Sequence, residues 1–330
     1  VGGLMKVKIS AHRFRDIQGN WQTMYDRVLN AFESLGAEIQ VSKYLNFDYP
    51  PIVDETDAIY VYNHTNVDEL NDLQFFKGEQ SLFLKPTAPT PEYFSIDKLG
   101  YACYSSVTYE KPNFETYESS FFNDKIPTFI KNLESKWSDR EELKMLSTDV
   151  QVPEDHILVV GQMPGDTTVL NYSFGSHWDK LIAIVYKLYK HYPVVVKIHP
   201  TLQRETEKVG EWQKYKKRID LWKSMGVTVI EGFESIHTIL PKTKLAIIEN
   251  STAGIECMMY DVPIISYGYP EYHWITKDLR HLPQLKNSIE DLSWWSKEKS
   301  RKFLSWYCEQ YLCYDQESTT RRIKWLTEFY

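Results

Sequence analysis

The chain has 330 residues, 42% hydrophobic and 25% charged, which excludes a disordered polymer and suits two domains of about 150 residues better than a single core. Its net charge of −7 comes without a basic stripe, so nucleic acid is not an expected partner. Four cysteines without C-x-x-C spacing, and no apolar run near about 18 residues, exclude a zinc clip, a disulfide scaffold and a membrane span, and the expectation is a cytoplasmic protein.

In chain order, Lys6–Ser10 reads as a short strand running into a polar loop. Trp21–Leu35 spaces Trp21, Met24, Val28, Leu29 and Phe32 as one helical face and stops at Gly36. Ala37–Ser42, Asp57–Tyr62 and Ser81–Leu84 read as further strands, an order that predicts a parallel sheet with helices on its faces. The proline-rich Lys85–Pro91 is read as leaving the sheet. Asn113–Met145 carries helical stretches, and a linker is expected over Ser147–Asp155.

The second half alternates more regularly. Strands are expected at His156–Val160, Val194–Ile198, Val227–Ile230, Leu245–Ile248 and Pro263–Ser266. Helices are expected at Trp178–His191, Glu211–Met225, Ser235–Leu240 and Gly254–Tyr260. Lys214, Lys216, Lys217 and Arg218 read as a solvated helix face. The tail Ile289–Tyr330 reads as helical and rich in Trp and Tyr. This is a doubly wound α/β pattern, whose ligands sit outside the carboxyl ends of the strands.

Three polar clusters follow three of those strands: Gly161–Asp166, His199-Pro200 and Asn250–Glu256. In a parallel sheet such ends share one rim. Ser251 and Thr252 supply hydroxyl donors for a phosphate, Gly254 admits close backbone approach, and Glu256 is an acceptor for ribose hydroxyls; the same Ser and Thr also serve as ordinary helix caps. His199, held by Pro200, is a donor to a phosphate oxygen or a base carbonyl, with Lys197 adding charge, although an imidazole after a strand also commonly bonds nearby backbone. Asp166 is a nucleophile or general base, or else a turn-forming Asp.

The segments VVGQMPGDTTV, YPVVVKIHP and IIENSTAGIECMMYDVPIISYG, in this order, resemble the bacterial capsule and lipopolysaccharide β-Kdo transferases, which use CMP-Kdo. The His-Pro and Ser/Thr pairs are also similar to those of bacterial sialyltransferases. The resemblance covers residues 155–272 and implies an α/β chain of GT-B type, two Rossmann-like doubly wound domains facing a central cleft. The expected domains are 1–150 on the acceptor side, 151–290 binding the nucleotide sugar, and C-terminal helices 291–330 packing across both.

By position, the resemblance implies that Gln162, Lys197, His199, Gly232, Phe233, Asn250, Ser251, Thr252 and Glu256 hold CMP, and that Asp166 is the nucleophile of a retaining transfer. His12, Arg13, Lys85, Glu92 and Asp97 are candidates on the acceptor side, Lys85 standing where the family carries an Arg. No metal is expected, because CMP lacks the diphosphate to which a metal usually binds. The expected partners are a nucleotide-sugar donor, a glycan or glycolipid acceptor and other glycosyltransferase domains, with at most peripheral contact at the inner face of the membrane. Alternatives are an inverting CMP-sialic acid transferase with Asp166 as base, a CDP-glycerol-type glycerophosphotransferase, and a non-catalytic nucleotide- or glycan-binding module.

Overall fold

A computed structural model describes residues 4–11, 20–43, 57–63, 81–90, 92–132, 150–172, 176–279 and 282–328. The chain divides into one unit formed by Val1–Pro112 with Ser305–Tyr330 and a second formed by Asn113–Leu304.

In the first unit, strands β1 (Lys6–Ala11), β2 (Glu38–Lys43), β3 (Ala58–Asn63), β4 (Ser81–Pro86) and β5 (Phe94–Asp97) join Leu312–Cys313 (β12) in one sheet. The order is β12-β5-β4-β3-β1-β2; the pairs among β1 to β4 are parallel, and β5 is antiparallel to both its neighbours. Strand β3 reads as an unbroken apolar run because both its faces are buried. Ile59 and Val61 turn toward helix α1 (Asn20–Ser34) and its buried Met24, Tyr25, Val28 and Phe32, while Tyr60 and Tyr62 pack with Phe83 on the opposite face. Helix α1 ends at Gly36, whose φ of +77° favours glycine and lets the Ala37 amide reach back to the Phe32 carbonyl at 3.1 Å.

The tail departs from the all-helical expectation. Leu312 and Cys313 pair with Ser95 and Phe94, and helix α8 (Gln316–Thr327) packs against α1. Asp97 ties this returning segment down. Its carboxylate is fully buried and accepts from the amides of Leu99 (2.8 Å) and Ser106 (2.9 Å), the Ser106 hydroxyl (2.6 Å) and the Tyr311 hydroxyl (3.1 Å). The Arg322 guanidinium lies 3.9 Å away and donates to the Ile96 carbonyl at 3.0 Å. Asp97 is therefore an interior anchor and not an acceptor-binding residue. Strand β4 also runs two residues further than expected, through Lys85 and Pro86, the proline sitting at the strand's last position.

In the second unit, six strands are all parallel: β6 (His156–Val160), β7 (Val194–Lys197), β8 (Thr228–Ile230), β9 (Thr243–Ile248), β10 (Ile264–Ser266) and β11 (Lys277–Asp278), in the order β11-β10-β9-β6-β7-β8. The chain leaves β6 in one direction through β7 and β8, then returns to its other side through β9, β10 and β11. The gap between the ends of β6 and β9 is thus a topological switch point, where doubly wound sheets bind ligands. Helices α4 (His177–Leu188) and α6 (Trp212–Ser224) cover one face, with Trp178 stacked on Trp222 at 5.7 Å between centroids. Three short elements shape the rim: α3 (Thr167–Tyr172), α5 (Leu202–Glu207) and α7 (Ala253–Met259).

The unit boundaries differ from those drawn on the sequence. Helix α2 (Ser120–Asn132) packs on α7, and Phe114 meets Phe303 edge-on at 5.1 Å, so the chain from Asn113 belongs with the second unit. Residues 291–304 belong to the second unit and 305–330 to the first.

Replacing Asp97 by Ala strands a guanidinium and several donors in the interior. The expected loss is about 3–5 kcal/mol, read by denaturant unfolding; a change within error would remove Asp97 as the anchor of the C-terminal segment.

Candidate functional site

The three polar clusters follow the carboxyl ends of β6, β7 and β9, which are adjacent in the sheet. They converge. Val160 and Gly161, then Lys197, His199 and Pro200, then Ser251, Thr252 and Glu256 line one open cavity of about 170 Å³, together with Glu234 and Ile236. A second cavity of about 290 Å³ shares His199 and Pro200 with it and is lined also by Trp212, Gly232 and Phe233.

His199 lines both cavities. Its Nδ1 accepts from the Thr201 amide at 3.3 Å and lies 3.0 Å from the Thr201 hydroxyl, which leaves the ring proton on Nε2. Burial lowers its pKa to about 4, opposed by the charge of Asp166 and reinforced by that of Lys197. The imidazole is thus a neutral N–H donor at neutral pH.

Lys197, the last residue of β7, is buried and donates to the carbonyls of Gly232 (3.1 Å) and Ile198 (3.4 Å). Burial lowers its pKa to about 8, held from falling further by Glu234 and Glu256. Glu256 sits on α7 with the His237 Nε2 at 3.5 Å from its carboxylate, and His237 in turn lies 3.0 Å from the Tyr260 hydroxyl through Nδ1. The Ser251 hydroxyl accepts from the Ala253 amide at 3.2 Å, so it starts α7 and lines the cavity at once; Thr252 is exposed.

Three residues do something other than the sequence suggested. A Cβ on Gly254 would stand 2.1 Å from the Tyr272 ring, whose hydroxyl donates to the Ser251 carbonyl; the glycine makes room for an interior tyrosine and not for a ligand. Gln162 and Asn250 line neither cavity. They are buried and bound to each other, the Asn250 amide donating to Gln162 Oε1 at 2.7 Å. Asn250 then donates from Nδ2 to the Thr168 carbonyl (2.9 Å) and accepts the Tyr269 amide (2.5 Å). The Gln162 amide donates to His177 Nε2 at 2.9 Å, and His177 donates from Nδ1 to the fully buried Glu249, whose other oxygen lies 3.6 Å from Lys180. Local sequence carried no sign of these destinations.

Asp166 is exposed and lies just before α3, where its Oδ1 accepts from the Thr168 amide (2.8 Å) and hydroxyl (2.6 Å). It caps that helix, lies outside both cavity linings, and is close enough for its charge to act on His199. Glu234, which no motif singled out, lines the cavity two residues beyond Gly232. In the first unit Lys85 carries its ammonium 5.2 Å above the Tyr101 ring, and the Glu92 carbonyl accepts from Arg27 at 3.3 Å. His12 and Arg13 lie outside the described residues.

Residues 96–288 match the family of capsule polysaccharide biosynthesis proteins. Among solved structures, the β-Kdo 2,4 transferase of Thermosulfurimonas dismutans KpsC superposes with a TM-score of 0.57 at 17% identity, covering 97% of this chain and 95% of that one. The β-Kdo 2,7 transferase of the same protein gives 0.51 at 14% identity, covering 98% and 99%. At such identities the likeness establishes a shared GT-B fold. No curated protein sequence gives a significant match.

The His199 environment sets a pH signature. With a folded-state pKa below the ordinary value of 6.5, the unfolded chain takes up this proton first, so the ring's contribution to stability is complete above about pH 6.5 and is lost as pH falls toward about 4. NMR titration is expected to show the His199 ring neutral at pH 6 and protonated only near pH 4; a midpoint at or above 6.5 would contradict the burial described.

Proposed function

The chain belongs to the capsule polysaccharide biosynthesis family, and on that premise we propose that it is a glycosyltransferase that moves Kdo, a 2-keto sugar acid, from CMP-Kdo to a glycan or glycolipid acceptor with retention of configuration. The observation that carries the reading is the cavity at the switch point of the second sheet, where a neutral imidazole, a buried ammonium, two hydroxyls and two carboxylates meet. That donor set suits a nucleoside monophosphate. His199 Nε2–H and the Ser251 and Thr252 hydroxyls bind the phosphate, Lys197 offsets its charge, and Glu256 accepts from the ribose hydroxyls. The His237 ring lies beside that carboxylate, its Nε2 3.5 Å away and its Nδ1 against the Tyr260 hydroxyl.

In the proposed reaction, Asp166 attacks the anomeric carbon as the bond from that carbon to the phosphate oxygen breaks and CMP leaves with the electron pair. His199 and the hydroxyls stabilise the charge that develops on the leaving phosphate. An acceptor hydroxyl then displaces Asp166 from the same carbon and passes its proton to the departing Asp166 carboxylate, so two inversions yield net retention. The cap on α3 suits this task, because the two hydrogen bonds on Oδ1 fix the carboxylate plane and leave Oδ2 to attack. The single phosphate of CMP offers no diphosphate for a divalent cation to bridge, and the proposal assigns its stabilisation to side chains alone. Acceptor recognition falls to the first unit, with Lys85 and Glu92 as candidates. Among the described residues no helix is long and apolar enough to cross a membrane, and the proposed setting is the cytoplasmic face, where a glycolipid acceptor is presented.

Asp166→Asn retains the oxygen that caps α3 and removes the nucleophile. The expected outcome is unchanged CMP affinity with transfer reduced roughly 10³-fold or more. With wild-type enzyme and a slow acceptor, intact-mass spectrometry is expected to show one Kdo residue on a peptide containing Asp166. Full activity in Asp166→Asn, or a product of inverted configuration, would overturn the retaining mechanism.

A further inference from the structure

A third cavity, of about 700 Å³, plays no part in the reaction above. It lies among α3, the start of α4 and the outer side of α6, and its lining combines Leu170, Trp178 and Ile182 with Lys214 and Arg218; Asp179 is the one acidic residue in that lining. Pro164, which also lines it, belongs to the loop that carries Asp166, and Leu170 to the helix that Asp166 caps. Lys214 and Arg218 stand four residues apart on α6, so their side chains emerge on the same side, one turn apart. Charges are paired unevenly on this face. Lys216 is bonded to Asp220 at 2.7 Å, Lys223 to Glu231, and Lys180 lies 3.6 Å from the buried Glu249. Lys214, Lys217 and Arg218 form one stripe of α6 and have no carboxylate partner among the described residues; neither has Lys187 on α4. The stripe continues to Leu221, 39% exposed, while Tyr186, next to Lys187, is 42% exposed and Leu170 63%. Helices α4 and α6 cover the same face of the sheet, so their outward side chains share one layer, and the cavity joins Leu170 to it.

We propose that this face docks the protein on an anionic lipid bilayer, with one lipid phosphate held between Lys214 and Arg218 in the cavity and Leu170 entering the boundary between headgroups and acyl chains. The two-sided chemistry selects that occupant. A bilayer rich in acidic lipid supplies phosphates to the four unpaired cations and apolar contact to Leu170, Tyr186 and Leu221 at once. A soluble polyanion would meet the cations and leave those three side chains in water. A neutral bilayer would do the reverse. Long Lys and Arg stems lie along apolar surface while their charged ends reach headgroups, and tyrosine suits the same depth. The whole chain carries −7, so an acidic bilayer attracts this cationic face in preference to the rest of the surface, which fixes the orientation of approach. Docked in this way, the loop that carries Asp166 lies beside the membrane, where the proposed glycolipid acceptor is presented. The inference goes beyond the proposed reaction and needs neither its donor nor its mechanism.

The test is co-sedimentation of the full chain with vesicles of phosphatidylcholine alone and of phosphatidylcholine mixed with phosphatidylglycerol, without nucleotide or acceptor. Wild-type protein is expected to bind the mixed vesicles at least about tenfold more tightly than the neutral ones, and to lose that advantage as salt is raised. Lys214→Glu/Arg218→Glu is expected to weaken binding to mixed vesicles at least about tenfold. Lys98→Glu/Lys324→Glu, on exposed positions of the first unit, lowers the net charge equally and is expected to stay within about threefold of wild type. Leu170→Ser is expected to weaken vesicle binding several-fold and to leave binding of soluble polygalacturonate, a polyanion without lipid, as in wild type. The comparison of lipids uses wild-type protein alone, so the proposal stays testable if a variant folds poorly. Equal binding to both kinds of vesicle, binding to neither, an equal loss in the two double variants, or capture of polygalacturonate by a protein that ignores the vesicles would overturn it. No arm uses CMP or a CMP-sugar, so this inference and the proposed reaction fail separately.

Discussion

The amide bracket between Gln162 and Asn250 holds the site together. Through it, the Asn250 backbone N–H bonding Gln162 Oε1, the loop after β6 and the loop after β9 are fastened at one register, and the Asn250 side chain draws in Thr168 and Tyr269. The groups are buried, where a satisfied hydrogen bond is stronger than in water and an unsatisfied group costs about 1–3 kcal/mol. The bracket fits so closely that a Cβ on Gly268 would stand 2.2 Å from Asn250 Oδ1. Behind it His177 accepts from the Gln162 amide and is itself oriented by Glu249, with Lys180 balancing that carboxylate's charge. The placement of Asp166 and of Ser251 thus depends on side chains that line neither of the two cavities beside His199.

Electrostatics within the cavity follow from the same tight closure. An acidic protein that binds an anion needs a local concentration of donors. Here burial keeps the His199 ring neutral, so that it donates a proton to a hydrogen bond without adding a positive charge. Lys197 carries the charge, and Glu234 and Glu256 keep it mostly protonated at neutral pH despite its burial. A desolvated ammonium sharing a cavity with two carboxylates costs less than one alone.

The backbone frame was largely legible in the sequence. The apolar runs of β6, β7 and β9 each end in a polar cluster, and parallel topology alone requires those clusters to share a rim. The elements that escaped notice are short ones: the two-residue strands β11 and β12 carry no period, and α3 and α5 each span six residues. Strand β5 is buried throughout, so its polar Ser95 and Asp97 break the apolar pattern that marks a buried strand. Side-chain destinations were harder still. Gly254, Gln162 and Asn250 lie in motifs that suggest a ligand, yet a tyrosine ring fills the space beside Gly254 and the Gln162 side chain accepts from the Asn250 backbone N–H. Asp97 was an acceptor-side candidate in the sequence, because two of its partners, Tyr311 and Arg322, lie more than two hundred residues along the chain. Glu234 stood in no motif, and only the folded turn brings it beside Lys197.

A structure of the protein with CMP bound tests the central claim most directly. The expected result is one nucleotide in the cavity between β6, β7 and β9, its phosphate within hydrogen-bonding distance of His199 Nε2 and the Ser251 hydroxyl and its ribose against Glu256. CMP held anywhere else, with those three side chains untouched, would contradict the account.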